Sequence, residues 1–230
     1  MCDLVFYTCF FGSNYNWANL IPECPSTTYP CYYYTNNINT FNNLQGTNWK
    51  GIYLDVPIHH DAVQSALDAK HLKACPHEYE QLKSHKYICY FDSKHNVDEK
   101  KIENLILLME PQFDILIPKH PCNFTNVWQE YDMAMGVEKY NTEKEKNKTY
   151  IEKQLANNLS ENVKHHLTTQ FILRKNTEIC KTLNETWYKH IQECGIMCQI
   201  SFFFIQQIYK DIILPIEYQE CYCYNFWVPS

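Results

Sequence analysis

Glycine and arginine are the scarcest informative residues here: five glycines in 230 positions, and Arg174 as the single arginine. No Gly-x-Ser-x-Gly elbow is present, so a hydrolase built on that turn finds no support. The missing arginine accompanies abundant lysine and asparagine and reads as a coding bias without chemical content. A basic excess is missing too. The formal charge of −6 argues against a nucleic-acid binder, while leaving room for a local basic pocket that takes a phosphorylated small molecule. No window approaches the ~18 apolar residues of a membrane span. The start, MCDLVFYTCFF, lacks the basic residues, long apolar run and cleavage site of a signal peptide. There is no internal repeat and no linker.

What is present is ordinary globular material, 45% hydrophobic and 20% charged. Its length suits one domain over 1–230, with a polar helical excursion around 141–166. Twelve cysteines resemble a secreted disulfide framework, but without a leader the expectation is a cytoplasmic chain with mostly free thiols. A zinc site on Cys194, Cys198, Cys221 and Cys223 is a weak alternative, since C-x3-C and C-x-C are loose spacings for structural zinc.

Strand and helix signals alternate along the chain. Short aromatic and branched runs at 4–11, 31–35, 51–56, 87–91, 113–118 and 171–174 read as strands. Helical spacing marks 61–73, opened by Asp61 as N-cap, then 98–110, 127–140, 177–194 and 197–210. In 98–110, Ile102, Leu105, Ile106 and Met109 form one stripe. The fold expected is α/β, a mostly parallel central sheet with helices on both faces.

In such sheets ligands bind outside the carboxyl ends of the strands. The polar residues at those ends are Thr8, Asn36, Asp55, Asp92, His120 and Arg174. On a parallel sheet they converge on one rim. Asp92 stands out because it follows five apolar residues in YICYFDSKHN (87–96), and a carboxylate there needs a partner such as a metal or a ligand hydroxyl.

The segment AKHLKACPHEYEQLKSHKYICYFDSKHNV (69–97) resembles the GT-A-type, nucleotide-sugar-dependent glycosyltransferases. The likeness is to the short soluble enzymes of large algal DNA viruses and a related plant cell-wall group. Those carry a Lys-containing helix, a Pro-His pair, an acid-ended strand and an Asp-x-Asp or Asp-x-Asn element. VFYTCFFGSNY (5–15) resembles their first strand and nucleotide turn, and PKHPCNFTNVWQE (118–130) their His-Pro segment with a glutamate downstream. FILRKNTEICKTLNETWYKHIQECGIMCQISFF (171–203) resembles their Arg-x-Asn, tryptophan and Arg-Asp-Gln-hydrophobic-Ser-Phe run.

The resemblance implies a Rossmann-like GT-A domain that moves a hexosyl or pentosyl group from a nucleoside-diphosphate sugar to a glycan or other hydroxyl acceptor. Thr8 and Phe10 would lie at the nucleotide turn, with Asn36 or Asn37 at the base. Asp92 would meet the ribose or a metal, and Lys70, Lys73 and Lys94 the diphosphate, with His120 and Arg174 also at the donor. The chain departs from the family where Lys94 replaces the second acid, Asn123 an arginine, and Met197-Cys198-Gln199 the Arg-Asp-Gln. Without that last acid, Glu130 or Asp132 is the next candidate base. The same losses support an inactive GT-A-like protein that binds nucleotide or glycan without turnover. Lys94 also implies a weak requirement for Mn2+ or Mg2+, with Asp92 at most a lone ligand. A cytoplasmic location follows, the host's if the chain is viral.

Overall fold

The computed structural model describes residues 2–13, 19–59, 62–222 and 224–225. Its main strands are β1 (Leu4–Phe10), β2 (Cys31–Thr35), β3 (Lys50–Tyr53), β4 (Tyr87–Phe91), β6 (Ile115–Pro118), β7 (Phe171–Lys175) and β8 (Ile213–Ile216). They form one seven-stranded sheet in the order β3-β2-β1-β4-β7-β6-β8. A separate antiparallel pair joins β5 (His95–Asn96) to β9 (Tyr224–Asn225).

β1 and β4 are apolar almost throughout because both sheet faces are covered. Alternation sorts their side chains. Val5, Tyr7, Ile88 and Tyr90 pack on one face with residues of α2 (Ala62–Ala74), α7 (Glu178–Cys194) and α8 (Cys198–Ile208). Leu4, Phe6, Cys89 and Phe91 pack on the other with α3 (Glu99–Met109). The expected stripe of α3 is buried there, and Asp98 caps the helix by accepting the Lys101 amide at 3.0 Å.

The 127–140 helix divides at Gly136 into α4 (Val127–Met135) and α5 (Glu138–Asn141). The polar excursion folds as α6 (Lys144–Ala156), which is less solvated than its composition implies. Tyr150 and Ile151 pack with Phe203 and Phe204, and Tyr150 Oη bonds His190 Nδ1 at 2.6 Å. Residues beyond α6 pair with the segment between β6 and α4 through isolated bridges at Lys119–Leu167 and Asn126–Asn162. The Asp61 cap lies outside the described residues.

The sheet's one reversal matters most. β7 runs antiparallel to both neighbours, while the other six strands share a direction. Arg174 therefore pairs with Ile88 and Ile115, at the starting ends of β4 and β6, and not beside Asp92. The expectation of one rim holding all six strand-end residues fails for Arg174.

Candidate functional site

Asp92 ends β4 with a side chain 26% exposed. Its Oδ1 accepts the Lys73 ammonium at 3.1 Å and the Tyr90 hydroxyl at 2.6 Å. Among the described residues, Oδ2 makes no hydrogen bond. Burial would raise the Asp92 pKa, but Lys73, Lys94 and Lys70 outweigh it and hold the carboxyl below its ordinary value. Lys73, only 3% exposed, lies over the Tyr90 ring at 4.9 Å. Desolvation lowers its pKa despite the Asp92 charge.

Two further cations complete the basic cluster. Lys70, one turn before Lys73 on α2, faces Cys198 and Tyr140; their charges and that of Asp92 overcome desolvation and hold its ammonium above the ordinary lysine value. Lys139, from α5, is exposed to solvent as a residue, yet its ammonium is held lower by the partial desolvation it meets near the cluster and by repulsion from Lys70 and Lys94. Sequence reasoning missed Lys139. Its charge sits among many on a polar segment, and its nearness to Lys70 and Lys94 depends on the chain starting a new helix after Gly136.

Cys198 opens α8, where the helix dipole favours negative charge. Its Sγ lies 3.3 Å from Thr169 Oγ1. Burial would raise the thiol, but Lys70, Lys73 and the Thr169 hydroxyl bring it below its ordinary value.

The turn after β1 is tied to the start of α1 (Ile38–Asn43). Asn36 Oδ1 accepts the Gly12 amide at 3.0 Å, and Asn37 donates to the Gly12 carbonyl at 2.9 Å. Gly12 has φ +113°, and a Cβ there would come within 3.2 Å of Ser65. Asn36 also donates to Pro57, so its amide is spent on shaping the turn. Thr8 is buried and donates to the Phe91 carbonyl at 2.6 Å, locking β1 to the end of β4. Phe10 packs against the sheet's second core face. Residues 14–15, the end of the resembled turn, fall outside the described residues.

A separate polar nest surrounds Glu130. It is 0% exposed and bonds His166 Nε2 at 3.0 Å and Gln199 Nε2 at 2.9 Å, with His120 Nε2 at 3.4 Å. Thr168 donates to Gln199 at 2.9 Å. Burial pushes the His120 pKa down to about 4, against the Glu130 charge. Of the two proposed bases, Glu130 is thus sealed behind the cleft, and Asp132 is exposed on α4. His120 belongs to this nest.

Arg174 is buried, donating to the Lys73 carbonyl at 2.8 Å and to Tyr7 Oη at 3.2 Å. It braces the end of α2 instead of reaching a ligand. The loosely spaced cysteines are not gathered either: Cys194 joins the α4–α6–α8 core and Cys221 the opposite sheet face, and Cys223 lies outside the described residues.

The rim offers a divalent cation little. His95 turns Nε2 to Gln170 at 3.0 Å and packs on Tyr222, and burial lowers its pKa to about 4. Among the described residues no set of three His, Cys or acidic ligand atoms gathers at Asp92. The residues present fit a phosphate-binding cation cluster better than a resident metal.

No family model and no curated protein matches the chain. Among solved structures, it is similar to mouse xyloside xylosyltransferase 1 in its apo form, with TM-score 0.50 and 11% identity over 92% of this chain and 84% of that one. It is also similar to core-mannan synthase A of Aspergillus fumigatus in its Mn/GDP form, with TM-score 0.52 and 11% identity over 96% and 74%. At such identity the likeness is one of fold. The mostly parallel, helix-flanked sheet is that of the GT-A glycosyltransferases, as the sequence resemblance implied.

Proposed function

We propose that this protein is a glycosyltransferase that takes its sugar from a nucleoside diphosphate and passes it to a hydroxyl acceptor. The observation that carries this reading is the gathering of Lys70, Lys73, Lys94 and Lys139 about Asp92, at the carboxyl ends of the parallel strands of a GT-A-like sheet. Four ammonium groups around one carboxylate leave a local positive excess in a chain of net charge −6. A diphosphate matches that excess.

In transfer, the anomeric carbon–phosphate oxygen bond breaks and the nucleoside diphosphate leaves with the electron pair. The new bond forms to the acceptor oxygen, whose proton passes to a base. The lysines stabilise the charge that grows on the departing diphosphate, and being held in place they need little reorganisation. They supply the positive charge that a divalent cation would otherwise bring to the diphosphate, so the metal requirement is weak. Asp92 Oδ2 accepts a donor hydroxyl. Cys198 stands where the resembled family carries its acid, with Lys70 and Lys73 drawing its thiol below the ordinary value. Reduced thiols and this donor chemistry suit the cytoplasm.

One observation favours a second reading, a nucleotide-binding protein without turnover: Glu130 is enclosed, and Asp132 lies exposed on α4. Thermal-shift titration with nucleoside diphosphates and their sugars, followed by donor-hydrolysis and transfer assays, tests both. Stabilisation with turnover supports the enzyme. Stabilisation without turnover supports the binder, and no stabilisation by any nucleotide overturns both.

A further inference from the structure

On the face of α2 turned away from Asp92, His71, Cys75 and Glu78 bring an imidazole nitrogen, a thiol sulfur and a carboxylate oxygen within 4.8 Å of one another. We propose that these three side chains form a zinc-type metal site, distinct from the donor cleft, with a fourth position open to water.

The spacing follows from the helix. Cys75 N bonds the His71 carbonyl at 2.8 Å, so the helical turn continues past Ala74 and places residues 71 and 75 one above the other. Glu78 follows in the 3-10 turn Pro76–Glu78, and its Oε2 lies 3.3 Å from His71 Nε2. Ligand atoms about 2.0–2.3 Å from one tetrahedral ion lie roughly 3.3–3.8 Å apart, so the imidazole and carboxylate already stand at that separation and the thiol would close in by at most about 1 Å. A mixed nitrogen, sulfur and oxygen set suits zinc better than magnesium or calcium, which prefer oxygen.

The second observation concerns the ring itself. His71 Nδ1 is bonded to Tyr79 Oη at 2.9 Å, and the edge of Tyr188 packs on the ring at 4.7 Å. When a metal takes Nε2, the atom that faces Glu78, Nδ1–H is left to donate to Tyr79. Metal-bound histidines are oriented in this way by a bond at the other nitrogen. Cys75 is 1% exposed, and burial and Glu78 push its thiol up to about 12, so binding must release the thiol proton to water. Because Lys70 and Lys73 share this helix, the ion would staple the element that presents them.

Cobalt(II) is the probe, since its thiolate charge-transfer absorption reports a sulfur ligand directly. The full chain, stripped of metal, is expected to take up one equivalent with that absorption and to exchange it for zinc. Cys75→Ser should abolish the band, and Cys198→Ser should keep it. Tyr79→Phe, which leaves every ligand in place, should weaken binding about 10–100-fold. Absence of the band in the wild-type protein, or its survival in Cys75→Ser, overturns the proposal. Circular dichroism of each variant separates loss of ligand from loss of fold.

Discussion

Asp92 and Glu130 are both carboxylates drawn back from bulk water, one at the end of β4 and the other on α4. Their surroundings differ in kind. Asp92 is met by ammonium groups, keeps one oxygen unbonded among the described residues and stays 26% exposed. Glu130 is met by imidazoles and an amide from three separate segments, and it is fully enclosed. A carboxylate with cations and an open side is placed to meet a ligand. One with both oxygens engaged and no exposure fastens the structure around it.

The sharpest way to break that contrast is to remove Glu130. Glu130→Ala leaves two histidines and Gln199 without their shared acceptor and should cost about 3–5 kcal/mol in urea denaturation. If stability barely changes, Glu130 does not fasten the structure. Asp92→Asn keeps an oxygen for Lys73 and Tyr90 and should fold. Its transfer rate should fall about 100–1,000-fold, as when one preorganised polar group is lost. Activity near the wild-type level would remove Asp92 from the donor site.

Acid should separate the two regions. His120, in the Glu130 nest, has a native pKa of about 4 against 6.5 when unfolded, so the unfolded chain takes up its proton first. Its contribution, on the order of 3 kcal/mol, is complete above pH 6.5 and is lost as the pH falls toward 4. Asp92, whose native pKa is depressed, contributes above its unfolded value of 3.8, and that part is lost only at lower pH. Stability measured against pH should thus fall in two stages, and His120→Gln should shrink the upper one alone. A single stage would contradict the assignment.

The smallest effect belongs to the outermost cation. Lys139→Ala should weaken nucleoside-diphosphate binding by about 1 kcal/mol, and Lys73→Ala should weaken it more, because Lys139 is the more exposed. Equal losses would mean the four lysines do not act on one diphosphate. Manganese and chelator titrations of donor binding are best read on Cys75→Ser, where the site on α2 cannot confuse them.

Much of the frame was legible because periodicity is local. The α3 stripe and the doubly buried β1 and β4 are each written within a dozen residues. The direction of β7 was not, since FILRK pairs as well one way as the other, and that reversal alone moved Arg174 from rim to brace. The four residues of β8 gave no signal, with Pro215 tolerated on a sheet edge. Within the site, Asp92, Lys70, Lys73 and Lys94 were marked by chain neighbours. Lys139 and Thr169 reach it, and His166 reaches the Glu130 nest, through tertiary folding that no short window records.

The small β5–β9 pair sets an order of events in synthesis. His95 pairs with Asn225 and Asn96 with Tyr224, so 225 − 95 = 130 residues separate the partners. A ribosome adding about 5–20 residues per second makes the second strand roughly 6–26 s after the first. Throughout that interval the segment following Asp92 has no strand to lie against. The nascent protein can assemble β1 to β4 and their helices while this loop remains unset.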